Sequence, residues 1–344
     1  MCADARRATR EETVERLFAD YLDYGRAHVK ERTIESYESL ARLYVLPAIG
    51  SLPVAKVATR DIARLHLSLE DKPGTANRGV QMVKAFFYWL ERGGLFSGTN
   101  PARNVELYAE HPRERFLTVE EMARVGQALC VAETIGLPPA PEHKLTKSVK
   151  RARNSGMFKS ELQPASPVTL AALRFLIFTG WREQEAMTLK WSDVNLSAGI
   201  ATLGDTKSGK NVRAITAPAL ELLGAQARVK GSAYVFPGRD PQKPLESVHR
   251  LWTAVRSEAR LEGVRLHDLR HSVASFAGGQ GYSLFLIGKL LGHKTARSTE
   301  RYAHLADDAR KIMADDVGET IRAAMAADPY IHTAPVVDIA TRRR

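Results

Sequence analysis

The sequence predicts a mainly α-helical protein of two domains, with a small antiparallel β-sheet confined to the second. Three observations carry this expectation. Apolar residues recur every three or four positions along most of the chain, the period of an amphipathic helix. Strand-like runs occur only around residues 198–216. The chain has 344 residues, and about 150 residues per domain gives roughly two domains. The boundaries read from this are a helical domain at 10–110, a linker at 111–116, a second domain at 117–327 and a tail at 328–344.

In the first domain Thr33 is placed to cap a helix carrying Ile34, Tyr37, Leu40 and Tyr44, ended by Pro47 and Gly50. Thr59 is placed to cap a second, with Ile62, Leu65 and Leu67. A third runs near Ala76 to Arg92, stopped by Gly93-Gly94. After the linker, Thr118 and Glu121 form the Thr-x-x-Glu signature of a capping box. Pro167 to Thr179 is apolar nearly all round, which marks a buried helix, and Gly180 ends it. Ile200–Leu203 and Val212–Ile215 flank a Ser208-Gly209 turn, as in a hairpin, and Ala233–Phe236 is a candidate third strand. Helices follow near 245–262, 268–279, 283–291 and 298–305. A last one carries Met313, Val317, Ile321 and Met325, and either its own domain or a neighbouring protomer could receive that face.

Composition narrows the function classes. With 44% hydrophobic and 26% charged residues, the chain is an ordinary globular protein. Its two cysteines, Cys2 and Cys130, form no Cys-x-x-Cys pair, so neither a disulfide framework nor a cysteine zinc site fits. No apolar run is long enough to span a bilayer, and the N-terminus has no signal core. The expectation is a cytoplasmic protein without a membrane partner. The formal net charge is +11, which favours a polyanion, nucleic acid first. Residues 1–112 hold 16 Lys+Arg against 15 Asp+Glu, and the remainder 34 against 24, so the excess sits in the second domain. One source is an insertion at about 137–166 with Lys144, Lys147, Lys150, Arg151 and Arg153 and no acid from His143 to Ser160. It reads equally as a solvated loop or as a loop that contacts phosphates.

Three boxes hold polar residues that a bland core does not explain. They are Thr179-Gly180-Trp181-Arg182-Glu183-Gln184-Glu185, His267-Asp268-Leu269-Arg270-His271, and Leu291-Gly292-His293 followed nine residues later by Tyr302. Between the first two lies the turn Thr206-Lys207-Ser208-Gly209-Lys210. Taken singly, each residue has a packing or ion-pair explanation. Together they fit chemistry on a phosphodiester. Two arginine forks match the non-bridging oxygens of a phosphate and stabilise its transition state. A tyrosine is a candidate nucleophile, and its pKa of about 10 calls for a base or nearby positive charge. Histidine can be that base, and a lysine on a turn can protonate the leaving oxygen. No metal or ATP is required, because a phosphotyrosyl ester conserves the bond for resealing.

These boxes, in this order, resemble those of the tyrosine recombinase (phage integrase) family. The resemblance covers roughly residues 10–325. It includes Thr75-Ala76-Asn77-Arg78 through Asn100-Pro101-Ala102, similar to the family's SAM-like core-binding domain, and Trp191-Ser192-Asp193-Val194 in the catalytic domain. It implies a DNA-breaking-rejoining enzyme, a site-specific recombinase acting through a 3′-phosphotyrosyl intermediate. Arg182 and Arg270 would grip the scissile phosphate, Lys207 would be the acid for the 5′-oxygen, and His267 would manage the tyrosine proton. His293 would be a further phosphate donor and Tyr302 the nucleophile. Glu185 would brace the site, His271 would be structural, and Lys210 joins the basic loop as a candidate DNA contact. The implied partner is double-stranded DNA, with a homotetramer on DNA, a monomer possible in solution, and any directionality factor left open. No cofactor is implied.

Competing motifs fit less well. Gly204 to Asn211 nearly spells a phosphate-binding P-loop, but its last position is Asn211 and a strand follows. His267 and His271 have zinc-protease spacing, but Arg270 between them opposes a metal. A type IB topoisomerase would share the chemistry without site choice, and a silent DNA-binding regulator would not need the full set.

Overall fold

The computed structural model describes residues 12–110, 115–138, 162–206, 209–293, 295, 297–300, 302, 318–319 and 321–322. The chain divides into two compact units, Met1–Arg113 and Glu114–Arg344.

The first unit is helical throughout its described elements. Helix α1 (Val14–His28) starts at Thr13, whose hydroxyl accepts the Arg16 N–H at 3.3 Å. Helix α2 (Glu31–Leu40) is preceded by Lys30 at the cap position, three residues before the Thr33 expected there. It does not stop cleanly: a π-helical turn (Ala41–Val45) and a closing turn (Leu46–Ile49) carry it on. Pro47 lacks the N–H that a continuous helix would use there, and the closing turn that holds it follows directly on the π-helical one. Helix α3 (Thr59–Leu67) is capped by Ala58, one residue before the Thr59 expected, and Asp61 accepts the Ala58 N–H at 2.9 Å. Helix α4 (Pro73–Arg92) supplies the central face, burying Val80, Val83, Phe86, Phe87 and Leu90. Phe86 meets Phe18, Tyr21 and Phe87 edge-on or tilted at 5.2–5.7 Å. Such pairs add about 0.5–1.5 kcal/mol each beyond area burial.

Two asparagines tie this unit's ends. Asn77 is buried, donates to the Tyr108 carbonyl at 2.9 Å and to Glu110 at 2.8 Å, and accepts the Tyr108 N–H at 3.0 Å. Asn100 donates to the Lys84 carbonyl and accepts the Ala102 N–H. The polar motifs of this unit are thus the pins that fix its C-terminal segment.

In the second unit, α5 (Val119–Thr134) has the expected capping box: Thr118 accepts the Glu121 N–H, and Glu121 accepts the Thr118 N–H. Helix α6 (Pro167–Thr179) is buried and ends at Gly180, which adopts φ +63°. A short helix α7 (Glu183–Met187) follows. The sheet has the order β1 (Val194–Asn195), β2 (Ile200–Thr206), β3 (Gly209–Ala214), antiparallel throughout. Its third strand is therefore β1 and not the expected 233–236 run, where only an isolated bridge joins Lys190 and Tyr234. Helix α8 (Ala217–Ala225) was not foreseen. Helices α9 (His249–Glu258), α10 (Leu266–Gly279), α11 (Leu284–Leu291) and α12 (Arg297–Glu300) complete the described elements. A large core joins α5, α6 and α9 to the sheet, and a smaller cluster of Ala274, Ile287, Leu291 and Tyr302 lies between α10 and α11.

Candidate active site

The site is built where α6, α10 and α11 end or begin together with β3. Gly180 turns the chain at the end of α6; a Cβ there would come within 3.1 Å of Leu291 and Val273. That close approach brings the first box against the second and third. Arg182 then caps α7, and Glu185 one turn on accepts its backbone N–H at 3.2 Å and its guanidinium at 2.8 Å. The Arg182 side chain remains 46% exposed.

Arg270, one turn into α10, is buried. It donates to the Gly180 carbonyl and to the Leu291 carbonyl, both at 2.7 Å. A guanidinium has five N–H bonds, so these two contacts fix its plane and leave others for a ligand. Burial lowers its pKa to about 10, with Arg182 and Arg213 acting in the same direction and Glu185 and Tyr302 against them. It stays charged at neutral pH.

Arg213 is the residue that sequence reasoning missed. It lies in β3 opposite Ala201 and is fully buried. It donates to Glu185 at 3.1 Å and to the Leu290 carbonyl at 3.0 Å, and its guanidinium lies 4.9 Å from the Trp181 ring centroid. Burial pushes its pKa down; Glu185 opposes that shift and Arg182 adds to it. The available signal was alternation: Val212 is exposed at 57% while Ile215 is buried, so Arg213 had to share the inward face. Arg182 and Arg213 thus pair with one carboxylate, Glu185, and Arg270 stands close enough to feel all three charges. A net positive pocket of this kind is suited to a phosphate.

The third box is shaped by Gly292, which ends α11 at φ +65°. A Cβ there would stand 2.2 Å from Arg213 Nη1, so only glycine fits. The next residue, His293, pairs through Nδ1 with Thr299 Oγ1 at 2.8 Å. Its ring lies nearly parallel to that of Tyr302, with interplanar angle 3° and centroids 6.3 Å apart. Tyr302 is 5% exposed, and its hydroxyl is 2.6 Å from His271 Nδ1. His271, expected to be structural, therefore touches the tyrosine oxygen directly. His267 is exposed, and its ring meets His271 edge-on at 5.0 Å. It also lines a small cavity with Arg270, Trp181, Glu183 and His249.

The structure thus brings Arg182, Glu185, His267, Arg270, His271, His293 and Tyr302 into one neighbourhood. Lys207, the basic residues Lys144, Lys147, Lys150, Arg151 and Arg153, and most of the last helix lie outside the described residues. Of Lys210 only the backbone is described, in β3. Among the described residues no three His, Cys, Asp or Glu gather as a metal site, and no helix is long and apolar enough to cross a membrane.

Comparison with known proteins agrees with this architecture. The model of the phage integrase family matches residues 151–309, and that of the phage integrase N-terminal SAM-like domain matches residues 13–69. The tyrosine recombinase XerA of Pyrococcus furiosus is 31% identical over 70% of this chain and 87% of its own length. A tyrosine recombinase of Agathobacter rectalis is 25% identical over 85% of this chain and 93% of its own. The structure of a lambda integrase tetramer bound to a Holliday junction superposes with TM-score 0.60 at 20% identity, covering 83% of this chain and 79% of that one. The chain belongs to the phage integrase family, the tyrosine recombinases.

Proposed function

We propose that this tyrosine recombinase cuts and rejoins duplex DNA at specific sites through a 3′-phosphotyrosyl intermediate. The observation that carries the reading is Tyr302, a buried residue, near a cluster of Arg182, Arg213 and Arg270 in which a single carboxylate, Glu185, pairs with the first two. Arg182 and Arg270 hold the two non-bridging oxygens of the scissile phosphate. Their charge offsets the negative charge that develops in the transition state. Glu185 and Arg213 fix Arg182 and the turn into His293, which adds a donor to the phosphate. Tyr302 attacks phosphorus, and Lys207 gives a proton to the departing 5′-oxygen. Resealing runs the same steps backwards without ATP.

The first unit serves as the core-binding domain and the second as the catalytic domain. Phosphate contacts supply most of the affinity and base contacts the choice of site. Exchange of two strands in each of two duplexes needs four tyrosines, so the working assembly is a homotetramer on DNA, in the cytoplasm.

A nicked suicide duplex tests this. Its site is the tightest binder that the full-length protein selects from a randomised duplex pool. A covalent protein–DNA adduct is expected with EDTA present, and Tyr302→Phe is expected to abolish it. A wild-type protein that binds the duplex but forms no adduct would refute the mechanism.

A further inference from the structure

We propose that His271 holds the Tyr302 hydroxyl in line and takes its proton as the phenol oxygen attacks phosphorus. This rests on the phosphotyrosyl reading above and assigns its proton acceptor. The family resemblance gave that task to His267. In this chain the geometry points to the histidine one turn further along α10.

Three observations carry it. First, His271 Nδ1 is 2.6 Å from the Tyr302 oxygen, within direct proton-transfer range. Second, Tyr302 is held for that contact. It is 5% exposed, packed with Ala274, Ile287 and Leu291, and stacked on His293. His293 is in turn fixed by Thr299, which the absence of a Cβ at Gly288 lets approach: a Cβ there would be 2.8 Å from Thr299 Oγ1. Third, His267 is exposed and meets the His271 ring edge-on at 5.0 Å, and it lines the cavity beside Arg270. That places it toward the phosphate pocket.

The step balances. The Tyr302 O–H bond breaks and an N–H bond forms at His271 Nδ1. The Tyr302 O–P bond forms as P–O5′ breaks, and the electron pair leaves on O5′, which is protonated by Lys207. Nδ1 must begin as the acceptor, so the resting tautomer carries its proton on Nε2. In resealing, His271 returns the proton to the departing phenol oxygen.

Among the described residues, the following charged and titratable groups stand on the elements around His271. On its own helix stand His267 and Arg270, while Asp268 accepts the Arg265 N–H at 2.7 Å. Against it lie Tyr302 and, behind that ring, His293. From α6, Arg174 is committed to Glu133; from α11, Lys289 lies over the Phe285 ring; from α12, Glu300 is exposed.

The test is single-turnover cleavage of the selected suicide duplex at saturating DNA, from pH 6 to pH 10. His271→Asn can place an amide where Nδ1 sits but cannot take a proton; His271→Gln cannot reach that position. His271→Asn is expected to bind the duplex as tightly as wild type and to cleave about 100-fold more slowly at neutral pH. That deficit should shrink by about tenfold per pH unit as the phenol ionises toward its usual pKa of about 10. His271→Gln should lose at least as much, and His267→Gln should be slower with the wild-type pH profile. The proposal is overturned if His271→Asn cleaves within about threefold of wild type. It is also overturned by a deficit equal at every pH, or by alkaline rescue in His267→Gln instead. An adduct that survives Tyr302→Phe overturns the phosphotyrosyl reading and this inference with it. A wild-type adduct lost in Tyr302→Phe, with His271→Asn unimpaired, overturns this inference alone.

Discussion

Arg182 and Arg270 are the same residue type with the same proposed ligand, yet they sit in opposite settings. Arg182 is half exposed and tied to Glu185. Arg270 is buried and its plane is set by two carbonyl oxygens. Both alanine variants are expected to lose cleavage and keep duplex binding. Only Arg270→Ala should also lose stability. It strands two buried carbonyls at about 1–3 kcal/mol each, although relief of the guanidinium's own desolvation offsets part of that. Chemical denaturation beside the adduct assay separates the two; an Arg270→Ala protein as stable as wild type would contradict the burial argument. The pH dependence follows in sign. Arg270 has its pKa lowered to about 10, so folded and unfolded chains differ in proton uptake only above that value. Between pH 6 and 9 this group gives stability no slope and the phosphate pocket no titration. Loss of its charge belongs to the limb above about 10, and a bound phosphate moves that limb upward.

At the scale of elements, helix ends and one hairpin strand do the positioning. Gly180 ends α6 and Gly292 ends α11, both at positive φ, and both carry box residues immediately after them. The sequence announces such ends well, because a glycine after an apolar run is a local signal. It announces less well what presses on them. Gly292 is held glycine by Arg213, which comes from a strand 79 residues earlier. Gly292→Ala is expected to cost at least about 2 kcal/mol, combining left-handed strain with overpacking. It should also slow cleavage, since Arg213 and His293 both move. Gly263→Ala is the control. Its φ is +70° but no atom lies within 4 Å of the added Cβ, so it should cost about 1 kcal/mol and leave cleavage unchanged. Thermal denaturation of the two variants side by side checks this; equal losses would remove the role given to the Arg213 contact. The hairpin shows the same limit. Its two main strands were legible from alternation, but the third was misplaced to 233–236, because β1 is two residues long and its partner β2 lies beyond a turn. Two residues cannot display a period of two. Helix α8 was missed for a related reason: Ala217-Pro218 opens it with a proline that reads locally as a break, whereas at a first turn it costs nothing.

For the whole molecule, the charge is the quantity to follow. Of the net +11, the second domain holds nearly all, and the insertion at 137–166 is its densest source. If Lys144, Lys147, Lys150, Arg151 and Arg153 meet phosphates, changing all five to alanine should lower duplex affinity and flatten its salt dependence. Each lost contact removes about 0.9 from the slope of log affinity against log salt. Single-turnover cleavage at saturating DNA should not change, because the arginine pocket is untouched. An unchanged slope would leave the insertion as a solvated loop.

By itself the sequence determined the helical class, the two-domain division, the buried α6, the hairpin, and the three boxes with their order. These are written in local periodicity, caps and short motifs, which need no knowledge of distant contacts. Tertiary structure alone decided that Arg213 underlies the site, that Asn77 and Asn100 are structural pins, and that His271 lies on the Tyr302 oxygen. The reason is the same in each case. A buried polar side chain takes its role from the partner that pairs with it, and here those partners lie 28 residues away for Arg213 and Glu185, and 31 for Asn77 and Tyr108 and for His271 and Tyr302. One turn of α10 separates two histidines that are chemically identical in the sequence, and only packing against Tyr302 tells them apart.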